Sequence, residues 1–220
     1  MTAVRPPEYF PRLPYAALLL AADRVVLADT FPFSRQSGHN RARVRTAGGA
    51  AWITVPRQHG GLAQPLTQVA PVDDGWRRRH LATLRAAYGM APYYDHVAPE
   101  LADLLGAPHA SLGALAAETV AWAARWLGSA ATLVRASALP GAPDTLAALD
   151  AGGALLTLPE SADRDRQRWA GPVHVLRYAE GPRRQVFPGF EPDLSVLDLV
   201  FNYGPAAGDV LREGLSVGPA

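Results

Sequence analysis

The sequence predicts an α/β fold: a single layered domain over residues 1–220, with a mixed, mainly parallel sheet flanked by helices. Three observations carry that expectation. Short β-branched runs alternate with amphipathic runs from one end to the other, the pattern of strands joined by helical crossovers. The alternating run Arg41–Arg45 and the apolar run Ala51–Val55 flank a Gly-Gly turn, a hairpin that a purely parallel sheet would not contain. At 49% hydrophobic and 19% charged residues, the chain is rich enough in apolar side chains to fill one sizeable core.

The elements follow in order. Pro14–Ala22 reads as a short helix and Arg24–Ala28 as a buried strand. Arg41–Arg45 and Ala51–Val55 form the hairpin, and Leu62–Val72 has room for a further strand. The clearest helix runs from Asp74 to Tyr88, with Asp73 or Asp74 as cap and Gly89 and Pro92 as stop signals. Helices are expected over Pro99–Leu105 and Ser111–Leu127, the second capped by Ser111. Beyond them come a strand at Thr132–Ala136, a helix at Asp144–Ala151 and a strand at Ala154–Leu158. A charged helix, Ser161–Trp169, precedes the strand Val173–Tyr178. The Pro/Gly-rich loop Gly181–Pro192 leads into Ser195–Phe201 and a last helix near Ala206–Gly214.

Composition removes whole classes of chemistry. There is no cysteine, hence no disulfide, no thiolate nucleophile and no sulfur-ligated metal. All 21 basic residues are arginine. Without lysine there is no Walker-type phosphate loop and no Schiff-base enzyme, whether pyridoxal-dependent or aldolase. The cations present are planar, bidentate and permanently charged, so they bind anions but do not act as bases. A net charge of +1 argues against a nucleic-acid partner. The apolar run Ala16–Ala22 follows several prolines, lacks a cleavage site and is too short to span a bilayer, so the expectation is a cytoplasmic protein without a membrane span. The six histidines are scattered without a pair at ligand spacing, and neither a metal nor a cofactor is expected.

Three polar constellations stand out against this background. In the first, Ser34-Arg35-Gln36-Ser37-Gly38-His39-Asn40-Arg41 feeds a strand whose Arg41, Arg43 and Arg45 share one face. Guanidinium, amide and hydroxyl donors packed this densely suit a phosphate, a carboxylate or a sugar hydroxyl. The plain alternative for the strand arginines is a charged edge that resists strand pairing. In the second, Trp76, His80, Leu84 and Tyr88 recur every fourth residue, which puts His80 on the aromatic, apolar face of its helix. It is either a hydrogen-bonded core histidine or a general base in a half-buried cleft walled by Tyr93 and Tyr94. In the third, Ser195, Asp198 and Asn202 form one polar stripe on a hydrophobic helix. They serve as N-cap, capping-box acid and C-terminal asparagine, or else line a pocket in which Asp198 holds an arginine or a substrate amine. The aromatic, proline-rich run from Pro7 to Tyr15, with Tyr9 inside it, makes a rigid turn or a pocket lip.

In order along nearly the whole chain, these segments resemble the WbqC-like family of bacterial proteins. The carrying residues are Pro7-Glu8-Tyr9-Phe10-Pro11, Ser34-Arg35-Gln36-Ser37 with Asn40-Arg41, and Trp52-Ile53-Thr54-Val55-Pro56. Trp76 with His80-Leu81, Ala91-Pro92-Tyr93-Tyr94 and the run Leu194 to Pro205 complete the set. Two departures are visible: the family's opening Gln-Pro stands here as Pro6-Pro7, and its Ser-Gly-rich segment as Leu156-Thr157-Leu158-Pro159-Glu160-Ser161. The resemblance implies a place in surface-polysaccharide or O-antigen biosynthesis, and transfer of glycine or a similar acyl group to an amino sugar. It brings no catalytic residues with it.

The expectation is therefore an acyl- or aminoacyl-transferase acting on a nucleotide-linked or lipid-linked amino sugar. Arg35 and Arg41 would clamp a phosphate or carboxylate and Asn40 would orient sugar hydroxyls, with Tyr9, Ser37, Tyr94 and Asn202 completing the substrate site. His80 would take the proton of the attacking amine, and Asp198 would orient His80 or the amine. The rivals are a non-catalytic sugar-nucleotide-binding or assembly protein and a hydrolase using Ser37 or Ser137.

Overall fold

The computed structural model of the chain describes residues 1–58, 60 and 63–220. Its centre is a six-stranded sheet built from β1 (Thr2–Arg5), β2 (Arg24–Leu27), β5 (Thr132–Arg135), β6 (Leu155–Thr157), β7 (Val173–Tyr178) and β8 (Leu215–Pro219), in the spatial order β5-β2-β1-β6-β7-β8. All neighbours are parallel except β7 and β8. The sheet is mixed and mostly parallel, as the sequence predicts, but the antiparallel member is β8. The hairpin β3 (Arg41–Thr46) and β4 (Gly49–Thr54) forms a separate two-stranded sheet.

Alternation along the strands divides the core in two. Ala3, Val25, Leu27, Leu156 and Leu176 face a large cluster shared with α1 (Leu13–Ala21), α4 (Leu112–Trp126) and α7 (Ala207–Glu213). Val4, Val26 and Leu155 face a smaller one, capped by Leu146, Leu149 and Trp169 from irregular segments. Helices α2 (Trp76–Tyr88) and α6 (Val196–Tyr203) pack on the hairpin, α3 (Tyr94–Gly106) packs on these two helices, and the short α5 (Ala162–Arg166) leads from β6 into β7.

Local signals explain most boundaries. Ser111 accepts the Ala114 amide at 3.1 Å and caps α4. Asp74 accepts the Trp76 amide at 3.1 Å, although the residue at the cap is Gly75 in a left-handed conformation. Helix α3 begins five residues before its expected start and carries Pro99 in its interior, so the Asp95 carbonyl goes without its helical donor. The expected helix at Asp144–Ala151 is only a 3-10 turn at Ala147–Leu149. The segment expected over Leu62–Val72 begins outside the described residues, and its described part carries a 3-10 turn at Leu66–Gln68 in place of a strand.

Strand order decides where a ligand can sit. From β1 the chain builds outward to β2 and β5, then returns to lay β6 on the other flank of β1 and continues to β7. The loops leaving β1 and β6 therefore turn apart, opening a crevice beyond the carboxyl ends of these two strands.

Candidate functional site

That crevice is a cleft of about 1010 Å3. Its walls come from the loops after β1, β2, β5 and β6, all at the same edge of the sheet. Arg5 closes β1 and donates to the Ser161 hydroxyl at 2.6 Å and to Glu160 at 3.4 Å. Glu8, 5% exposed, accepts the Arg12 amide at 3.2 Å and its guanidinium at 3.1 Å. At the end of β6, Thr157 donates to Asp165 at 2.5 Å, and Asp165 in turn holds Arg164 at 3.4 Å. Arg168, also in the wall, has no carboxylate partner among the described residues. Four arginines (Arg5, Arg12, Arg164, Arg168) thus meet four carboxylates (Glu8, Asp144, Glu160, Asp165) around one hollow. The balance is mixed, not simply cationic.

His39 reaches the same cleft from the loop after β2. Its Nδ1 accepts the Ser34 amide at 3.2 Å, which leaves the ring proton on Nε2. Burial, reinforced by the nearby Arg5 cation, pushes its pKa down to about 4. At neutral pH it is an uncharged donor. Gly38 beside it fits closely: a Cβ there would stand 3.0 Å from the Glu8 carboxyl carbon.

The residues singled out in the sequence are distributed among six places. Ser37 lines the cleft, its hydroxyl turned back onto the Ser34 carbonyl at 2.7 Å, and Arg35 is exposed on the same loop. Asn40 is buried and donates to the Val55 carbonyl at 2.8 Å, tying down the start of the hairpin. Arg41 stacks on Trp52, 4.5 Å above the ring. Tyr9 and His80 form an interior pair: the Tyr9 hydroxyl lies 2.9 Å from Nδ1, and Nε2 lies 3.2 Å from the Thr54 carbonyl. A carbonyl only accepts, so Nε2 donates and Nδ1 accepts the hydrogen bond of the tyrosine hydroxyl. Both nitrogens of His80 are committed, the ring is 4% exposed, and burial pushes its pKa down to about 4.

Asp198 and Asn202 lie under the loop after β7. Asp198 is fully buried and holds Arg183 at 3.2 Å and Gln185 at 3.0 Å, with burial raising its pKa to about 6. Asn202 donates to the Asp198 carbonyl at 2.7 Å. The capping box does not form: the Ser195 hydroxyl has no partner, and Asp198 turns to the loop. Tyr94 stacks on Phe201 beside a different groove, between α2 and α3. Ser137 donates to Asp29, which Arg135 holds at 2.7 Å, a closed network with no base for a nucleophile.

The sequence reading missed Arg5, Glu8, Ser161, Arg164 and Arg168 as site residues. Arg5 lies at the end of a strand it did not identify. His39 was visible inside the first constellation, and its spacing from a backbone amide was not. No group of three or more acidic or histidine side chains able to hold a metal occurs among the described residues.

In a comparison of the whole sequence, the WbqC-like protein family matches residues 6–210. The chain belongs to the WbqC-like protein family. Among curated proteins it is similar to the uncharacterized protein Rv1507c of Mycobacterium tuberculosis (strain ATCC 25618 / H37Rv), with 27% identity over 219 residues that cover 93% of this chain and 94% of the relative. No solved structure matches it. In this WbqC-like protein Glu160 and Ser161, which follow β6, form part of one wall of the cleft. No helix among the described residues is long and apolar enough to cross a membrane.

Proposed function

We propose that the switch-point cleft binds a phosphorylated amino sugar, nucleotide-linked or lipid-linked, and that the protein transfers an acyl group to its amine. The observation that carries this reading is the mixed charge of the cleft. A ligand bearing a phosphate and an ammonium matches a wall of arginines faced by carboxylates, whereas a simple anion would not. Arg164 and Arg168 take the phosphate, Ser37 and Ser161 the hydroxyls, and Glu160 the amine. In the transfer the amine nitrogen attacks the carbonyl carbon of an activated acyl donor. Glu160 takes the first ammonium proton and so frees the lone pair for that attack. The bond to the donor's leaving atom breaks with its electron pair, and the nitrogen's second proton leaves on that departing atom. The Nε2–H of His39 is suited to the carbonyl oxygen as charge develops there, because a neutral donor needs no proton taken up beforehand. His80 and Asp198 act at one remove. His80 fixes Tyr9, whose amide holds the Gly38 carbonyl at 2.8 Å next to His39. Asp198 anchors the loop through Arg183.

A second reading, binding without catalysis, is favoured by one observation: Glu8 and Asp165 are tied to arginines, and His39, the imidazole at the cleft, has its acceptor nitrogen occupied. Calorimetry with UDP-glucosamine, UDP-N-acetylglucosamine and UDP tests the binding. The free amine is expected to bind most tightly, Glu160→Gln to erase that preference, and Arg168→Ala to weaken all three. Failure of the folded protein to bind any of them removes the reading. Mass spectrometry of the sugar after incubation with activated acyl donors separates the two: binding with no mass gain leaves the non-catalytic alternative.

A further inference from the structure

A second concave site lies away from the cleft, between α2 and α3, with a volume of about 700 Å3. Its floor is apolar: Leu84 and Phe201 are buried, and Tyr94 stacks on Phe201 with ring centroids 5.7 Å apart. Ala98 and Ala102, one turn apart on α3, keep the trough open. On the α2 lip Arg78 and Arg85 recur seven residues apart, on the face that also carries Leu81. Arg77 and Arg79 on the same helix are paired with Asp73 and Asp74, whereas Arg78 and Arg85 make no ion pair among the described residues.

The two helices run antiparallel, since Arg77 donates to the Leu105 carbonyl at 2.8 Å while the α2–α3 turn joins their opposite ends. Asp95, the one carboxylate of the groove, therefore sits at the Arg85 end, and Arg78 stands alone at the other. We infer that this groove binds a single-chain anionic amphiphile, with its apolar chain along the trough and its head on Arg78. The size lies within the usual range for small-ligand pockets, and an unpaired guanidinium at one end of an apolar trough is complementary to one anionic head. This site is separate from the sugar-binding reading and does not depend on it.

Isothermal titration with dodecyl phosphate below its micelle threshold, dodecyl maltoside and inorganic phosphate tests the inference. Dodecyl phosphate is expected to bind at least ~10-fold tighter than the maltoside, with inorganic phosphate not binding measurably. Arg78→Ala is expected to cut the dodecyl phosphate affinity about tenfold, and Ala102→Trp, which fills the trough from an exposed position, to abolish it. Thermal melts and the response to UDP-glucosamine report whether each variant retains fold and cleft. Equal affinity for the two detergents, or dodecyl phosphate binding unchanged by Ala102→Trp, overturns the proposal. So does sedimentation showing a dimer that Ala102→Trp dissociates, or vesicles of phosphatidylglycerol bound by a protein that ignores the monomeric amphiphile. Loss of UDP-glucosamine binding alone would leave this groove's assignment standing.

Discussion

A buried imidazole that stays neutral carries a cost at low pH. His39 and His80 keep pKa values near 4, while the unfolded chain protonates its histidines near 6.5. As pH falls through that window the unfolded state takes up protons that the native state refuses, so stability drops, by up to about 3 kcal/mol for each ring. Asp198 acts in the opposite sense: its native carboxyl keeps a proton up to about pH 6 that the unfolded chain releases near 3.8, so ionising it between these values lowers stability as pH rises. His39→Gln is therefore expected to flatten the loss of stability between pH 6.5 and 4, measured as the urea midpoint at several pH values. An unchanged slope would show that His39 titrates normally. The same buried carboxylate makes Arg183 indispensable. Arg183→Ala leaves Asp198 buried with only uncharged partners, Gln185 and Asn202 among them, and is expected to cost about 3–5 kcal/mol in urea unfolding. The sequence offered a hydrogen-bonded core position for His80 and an arginine for Asp198 as alternatives, but not which groups meet them. The helical spacing of Trp76, His80 and Leu84 put the imidazole on an apolar face, but only the fold brought Tyr9 and the Thr54 carbonyl to its two nitrogens.

Among the elements, helices were legible because caps and stops are local. Ser111 caps α4 through its own hydroxyl, and Ser111→Ala is expected to lower stability by about 1 kcal/mol. Close approach between elements is not local. Gly208 in α7 lies against the end of α4, where a Cβ would stand 2.1 Å from the Leu127 carbonyl oxygen. Gly208→Ala must push the two helices apart, and is expected to cost about 2–3 kcal/mol in thermal or urea unfolding, clearly more than the cap variant. A Gly208→Ala protein as stable as Ser111→Ala would mean the helices separate freely. The strands β1 and β8 escaped the sequence reading because each is short and lies next to a terminus. Their strand character comes from neighbours: β1 is flanked by β2 and β6, and β8 by β7.

At the scale of the whole molecule, the sheet order creates the cleft and the loops supply its chemistry. A ligand held between the β1 and β6 loops binds the native state alone, so it stabilises the fold by mass action, by about 2.7 kcal/mol at a hundredfold excess over Kd. UDP-glucosamine is accordingly expected to raise the melting temperature in a concentration-dependent way. The shift is expected to disappear in Arg164→Ala and to shrink with added salt, because the contacts are ionic. Ala102→Trp, far along a different groove, is expected to leave it intact. A shift that persists in Arg164→Ala would place the ligand elsewhere.

Periodicity, caps and ordered motifs are properties of neighbouring residues, and they made the α/β class, most helices and the kinship legible in the chain. The antiparallel edge that makes the sheet mixed comes from β8 and not from the hairpin. The sequence by itself also determined what chemistry is absent, because a chain without lysine or cysteine lacks those groups in any conformation. Tertiary structure alone decided which polar groups meet. Arg5 and Ser161 are 156 residues apart and share a hydrogen bond only because β6 returns to the flank of β1. His80, Asn40 and Asp198 are polar groups whose partners are a tyrosine, a carbonyl and an arginine in the interior, whereas His39 and four arginines surround the cleft. The physical reason is that a hydrogen bond or ion pair is fixed by distance in space, and strand order, not spacing in the chain, sets that distance here.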